Sequence, residues 1–121
     1  MTWTYTQLHG QAIHNGQIVG IGYSGYHEGK NNPDMEAVHA VGPIPRGHWR
    51  IVRWDDHHGD KGPQVAVLEP VGHNAHGRTE FLIHGDSASH PGEASHGCII
   101  MARPIRDQWR ASGDMDIEVT A

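Results

Sequence analysis

Glycine and proline interrupt this chain at short intervals, and that punctuation confines it to brief elements. Sixteen glycines and seven prolines fall among 121 residues, which favours short strands and tight turns over long helices. The length suits one domain with one core, residues 1–121. A domain of this size needs no disulfide, and its single cysteine, Cys98, can form no internal bridge.

Taken in order, Trp3 to Leu8 reads as a strand with Trp3, Tyr5 and Gln7 on one face. Gln11–His14 and Gln17–Ile21 flank Asn15-Gly16, a pair that accepts the positive φ values of a type I′ hairpin turn. Gly22 to Asp34 reads as an exposed loop, and Gly42 to Gly47, with two prolines, as a rigid turn. His48–Arg53 alternates as a strand, Asp55–Gly62 is a polar loop, and Val65–Leu68 is a strand ended by Glu69-Pro70. Another loop, Gly72 to Gly77, precedes a strand at Glu80–His84. The long segment from Asp86 to His96 leads into a strand at Gly97–Met101. Only residues 103–112 predict a helix, with Pro104 in its first turn, Ile105 and Trp109 on one face, and Gly113 as the stop. Met115–Val119 is a last strand. The expected fold is mainly β: a single-domain, mainly antiparallel barrel or sandwich with one short helix.

Net charge is −5 with neutral histidines, and no lysine/arginine cluster exists, so nucleic acid is not an expected partner. No apolar run approaches the roughly 18 residues of a membrane span. The start, Met1-Thr2-Trp3-Thr4-Tyr5, lacks the basic and apolar regions of a signal peptide. The expectation is synthesis in the cytoplasm, or export by machinery that reads no cleaved signal.

The chemistry concentrates in two short runs, Phe81-Leu82-Ile83-His84-Gly85 and Ser95-His96-Gly97-Cys98-Ile99. In isolation, a cysteine beside two isoleucines is usually a small buried hydrophobe. The flanking His-Gly and Ser-His-Gly favour a nucleophile instead. A free thiol has a pKa of about 8.5 and is mostly protonated at neutral pH, so it needs a base. His84 is preferred, because it ends an apolar strand and because the Gly85 carbonyl can accept its second N–H and fix its orientation. His96 competes, since residues i and i+2 share a face in extended chain. It can instead orient the loop or the substrate. Gly97 permits close approach of a substrate, and backbone N–H groups around Gly97 and Cys98 can form an oxyanion hole.

These residues carry a resemblance. His84-Gly85 followed by Ser95-His96-Gly97-Cys98-Ile99 resembles the signature of the L,D-transpeptidase catalytic domain, a β-rich fold with a cysteine nucleophile. The run Gly42-Pro43-Ile44-Pro45-Arg46-Gly47-His48-Trp49-Arg50-Ile51 is similar to the Pro-x-Gly turn and strand of that domain. Gly22-Tyr23-Ser24-Gly25, Asn31-Asn32-Pro33, Gly77-Arg78-Thr79-Glu80-Phe81 and Ile99 to Pro104 resemble a compact subfamily containing type VI secretion L,D-transpeptidase effectors. The resemblance implies Cys98 as nucleophile, His84 as base, the Gly85 carbonyl as third member, and supporting roles for Ser95, His96 and Gly97. It implies L,D-carboxypeptidase or L,D-transpeptidase activity on peptidoglycan tetrapeptide stems, through a thioacyl-enzyme and without a cofactor. It further implies a monomer secreted into the periplasm of a target bacterium, with secretion machinery and a cognate immunity protein as partners. Many housekeeping members of the L,D-transpeptidase family carry arginine two positions after the cysteine, where this chain has Ile100. Arg78 and Arg103 are the candidates to bind a substrate carboxylate in its place.

Two other readings belong to different classes. One is a zinc hydrolase drawing on His57, His58, His73, His76, His84, His90 and His96, which lack a metal-site spacing such as His-Glu-x-x-His. The other is a non-catalytic wall-binding or phage module.

Overall fold

The structure, a computed structural model, describes residues 2–121. Nine strands form one sheet: β1 (Thr2–Thr6), β2 (Gln11–His14), β3 (Gln17–Ile21), β4 (Tyr23–Ser24), β5 (Gly47–His57), β6 (Pro63–Val71), β7 (Phe81–His84), β8 (Ile99–Ile100) and β9 (Asp116–Thr120). Among the described residues a single α-helix, α1, spans Arg103–Ser112. The strand order is β3-β2-β1-β9-β5-β6-β7-β8-β4. The outermost strands, β3 and β4, are consecutive in the chain and separated only by Gly22, so the two edges curl toward each other into a nearly closed barrel. This matches the mainly β, one-helix expectation. Six of the eight pairings are antiparallel, and β1–β9 and β7–β8 are parallel.

Local signals explain most of the elements. The β2–β3 hairpin turns through Asn15 at φ 51° and Gly16 at φ 77°, the left-handed values that Asn-Gly supplies at low cost. Trp3, Tyr5 and Gln7 point inward as their alternation predicts. Trp3 stacks on Trp109 of α1 with centroids 4.4 Å apart, and Trp49, Ile51 and Ile117 complete this part of the core. Gly113, at φ 71°, ends the helix.

Four expectations need correction. Residues 22–34 are not all loop, because Tyr23–Ser24 pairs with Ile99–Ile100 as β4. Two residues are too few to carry a periodic signal. The polar stretch from Asp55 does not end β5, since Asp55 still pairs with Val65 and His57 with Pro63. Backbone pairing holds an antiparallel ribbon together even where both faces are wet. Pro70 does not end β6, which continues to Val71. Beyond Leu68 the strand has lost its β7 neighbour, so a missing N–H there disrupts no second ladder. The strand expected over Gly97–Met101 is only Ile99–Ile100, because the segment before it is tied into its own hydrogen-bonded turn. No helix among the described residues is long and apolar enough to cross a membrane.

Candidate active site

The parallel pairing of β7 with β8 sets the site. Ile83 lies opposite Ile99 and His84 opposite Ile100, so Cys98, one step before β8, falls beside Leu82. Leu82 and His84 share one face of their strand, and that face carries Cys98 as well. All three line a cleft of ≈ 800 Å³. A parallel pair needs a crossover connection, here the irregular segment from Gly85 to Cys98, which forms one wall.

His84 is 2% exposed. Its Nδ1 donates to the Gly85 carbonyl at 2.8 Å. A carbonyl only accepts, so the proton sits on Nδ1 and Nε2 keeps its lone pair. Among the described residues, that buried Nε2 has no hydrogen-bond partner. Burial pulls the imidazole pKa below its ordinary 6.5; the Gly85 carbonyl opposes this, and the positive charges of Lys61 and Arg106 add to it. The imidazole is therefore neutral at physiological pH.

Cys98 is half-buried. Its thiol donates to the Glu80 carbonyl at 3.7 Å. Burial pushes the thiol above its ordinary value, while the Leu82 backbone N–H, Lys61 and Arg78 pull it back. Glu80 holds φ at 66°, a costly conformation for a residue with a side chain, and the strain lies at the carbonyl that meets the thiol. The resting cleft holds a neutral thiol and a neutral imidazole, groups suited to general-base activation.

Between these two residues the loop is held by its own polar groups. The Ser95 hydroxyl accepts from the amides of Gly25 (2.9 Å) and Gly97 (3.1 Å) and donates to the Cys98 carbonyl at 2.6 Å. The Gly97 amide, expected with that of Cys98 as an oxyanion donor, is bonded to Ser95 here. Gly97 itself, at φ 138°, makes room for Arg78, because an added Cβ would lie 2.6 Å from Arg78 Nη2. At the far end of the loop, Asp86 accepts from the Tyr23 hydroxyl at 2.6 Å and from the amides of Ser87 and Gly92. His96 Nδ1 donates to the Ala40 carbonyl at 2.9 Å, and its ring packs against Tyr26. It lines the cleft with His84 and Cys98.

The two expected arginines lie in different places. Arg78 is 5% exposed. Its Nη1 donates to the carbonyls of Glu36 and Pro43, and its Nη2 to those of Gly42 and His96. Four of the five guanidinium N–H groups are thereby engaged, so Arg78 works as an internal clamp on the cleft wall. Arg103 sits at the start of α1, paired with Asp107 at 2.8 Å, and is not among the residues lining the cleft.

Sequence reading missed Glu36, Lys61 and Arg106. Glu36 accepts from Gln7, Arg46 and His76. Burial pushes its carboxyl up, but these hydrogen bonds outweigh that and hold it at about 2. Arg106 donates to the carbonyls of Met101, Pro63 and Gln64, and a Cβ on Gly85 would lie 2.8 Å from its Nη2. Its place three residues before the buried Trp109 was the one available signal. Glu36 and Lys61 lie in irregular chain, where spacing reveals no partner. The histidines do not converge either: no group of three or more His, Cys, Asp or Glu is placed to hold a metal among the described residues.

The neutral burial of His84 predicts a pH effect on stability. The unfolded imidazole binds its proton at about 6.5, and the folded one only at lower pH. Between these values the unfolded state holds more protons, so the contribution is complete above 6.5 and lost as pH falls through the folded value. Equilibrium denaturation is expected to show a smaller loss of stability on mild acidification for His84→Gln than for the native chain. Equal losses would contradict it.

A family model described as the Tlde1 domain matches residues 20–119. No curated protein and no solved structure matches the chain. The matched span leaves out β1 and β2 and includes every cleft residue named above. With five-sixths of its length covered, the chain belongs to the Tlde1 domain family, the family of type VI secretion L,D-transpeptidase effectors.

Proposed function

We propose that this protein is a cysteine L,D-transpeptidase and L,D-carboxypeptidase acting on peptidoglycan tetrapeptide stems in the periplasm of a target bacterium. The observation that carries the reading is the buried, unpartnered Nε2 of His84, its tautomer fixed by Gly85, in the same cleft as the only thiol of the chain. His84 Nε2 takes the proton from Cys98 Sγ as the sulfur bonds to the carbonyl carbon of the third stem residue. The carbonyl oxygen gains charge, and the Cys98 amide donates to it. The bond to the terminal D-alanine nitrogen then breaks, and the imidazolium returns the proton to that amine. Water attacking the thioester gives carboxypeptidase activity, whereas an amine gives crosslinking or D-amino acid exchange. In either case His84 removes the proton of the attacking group and the thiol is regenerated. Loss of the terminal D-alanine deprives a rival wall of crosslinking substrate, and a producing cell needs an immunity protein against such an enzyme.

The test is incubation of purified protein with tetrapeptide muropeptides, with and without a free D-amino acid, and product masses as readout. The expected products are the shortened stem and, with the amino acid present, the exchanged stem. Cleavage at an undiminished rate by Cys98→Ala would falsify the reading.

A further inference from the structure

Eight of the nine lysines and arginines are occupied by the fold. Five arginines are paired with carboxylates. Arg78 and Arg106 bind backbone carbonyls, and Lys30 Nζ lies 4.7 Å from the centre of the Tyr23 ring. Lys61 is the exception: among the described residues its ammonium has no partner.

Lys61 closes the short 3₁₀ turn Gly59–Lys61 between β5 and β6. Its amide donates to His58 O at 2.9 Å, and His58 in turn donates to Gly62 O at 2.8 Å. The base of the side chain is thus fixed while its end is free. It lines the cleft that holds Cys98 and also a second cleft of ≈ 510 Å³ that adjoins the first at His84. No other lysine or arginine lines both. Its charge is felt at both reacting groups, where it lowers the pKa of the thiol and of the imidazole.

The second cleft is otherwise acidic. Asp60 lines both clefts, and Asp86 and Glu93 line the second. An anionic ligand can rest against that wall only where a cation offsets it. The chemistry of acyl transfer says which anion arrives there. The departing amine must take its proton from His84, so it leaves on the His84 side of the thiol. When the leaving group is an amino acid, its free carboxylate lies next to that nitrogen. By microscopic reversibility, an amino acid that attacks the thioester enters along the same line.

We infer that Lys61 is the carboxylate-binding residue of this site, holding the α-carboxylate of the amino acid that leaves the acyl-enzyme and of the amino acid that enters it. This rests on the acyl-transfer reading above. It assigns the role to the β5–β6 turn, away from the motif around Cys98. Water carries no carboxylate, so Lys61 favours exchange over hydrolysis.

The test uses two probes of the single thiol, anionic iodoacetate and neutral iodoacetamide. Both consume the same thiolate, so the ratio of their rates is independent of thiol pKa. Lys61→Met is expected to lower the iodoacetate-to-iodoacetamide ratio about three- to tenfold, and Lys61→Arg to preserve it. Added salt should bring the native ratio toward that of Lys61→Met. With stem peptides, Lys61→Met is expected to raise KM about tenfold for the free acid, to leave the C-terminally amidated stem unaffected, and to shift products from exchange toward hydrolysis. An unchanged alkylation ratio in Lys61→Met overturns the assignment even if native protein cleaves stems. A lowered ratio in a protein that cleaves no stem keeps the carboxylate site and refutes the peptidoglycan reading.

Discussion

Cys98→Ala is expected to abolish turnover of tetrapeptide stems and to leave no acyl adduct on the protein, and His84→Ala to slow acylation by about 10²–10⁴-fold. The magnitudes follow from the resting state. Burial raises the thiol pKa and lowers that of the imidazole, so spontaneous thiolate is scarce and the base must act in the transition state. Without His84 the attack must draw on that small thiolate fraction. His96→Ala should retain more activity, because His96 Nδ1 is committed to the Ala40 carbonyl and its ring packs against Tyr26. The acid limb of the native rate profile is expected below 6.5, where His84 gains its proton. Intact-mass measurement of the trapped thioester, together with stem cleavage across pH, checks all of this. A larger loss from His96→Ala than from His84→Ala would transfer the role of base to His96.

Arg78→Ala is expected to destabilise the fold by on the order of 3 kcal/mol or more. The guanidinium bonds four backbone carbonyls drawn from the segment around Glu36 to Pro43 and from His96, and it lies over the Phe81 ring at 5.2 Å. Its removal strands those carbonyls in a buried place and leaves a cavity. A domain of this size has roughly 5–15 kcal/mol to lose, so the loss should be plain in a denaturant midpoint. Arg78→Lys separates a clamp from a substrate anchor. Lysine keeps the charge but cannot span four acceptors with a planar fork. As a clamp, the lysine variant loses stability nearly as the alanine variant does. As an anchor, it would keep both stability and KM.

The legible parts of the protein were those set by neighbours in sequence. Asn15-Gly16 fixes its hairpin through allowed φ values. Pro104 and Gly113 bracket a helix that spans 103–112 as expected. Trp3 and Tyr5 alternate because a strand has period two. The candidacy of His84 and Cys98 was also legible, since a His-Gly at the end of an apolar run and a Ser-His-Gly before a lone cysteine are local patterns.

Contacts between distant segments could not be read this way. The parallel register that puts Cys98 beside Leu82 depends on a loop path that no local preference encodes. The use of the Gly97 amide by Ser95, the burial of Arg78 under Gly97, and the place of Lys61 in the cleft that also holds His84 and Cys98 arise from segments brought together by the sheet. Charge in a sequence has no direction: the fold spends Arg78 on carbonyls, pairs Arg103 with Asp107 and leaves Lys61 without a partner among the described residues. The sequence by itself determined the Asn15-Gly16 hairpin, the helix over 103–112 and the candidate thiol and imidazole, through backbone sterics and periodicity. The tertiary structure alone decided which cation of the cleft is left without a partner among the described residues, because hydrogen-bond partners are allotted only when the chain closes on itself.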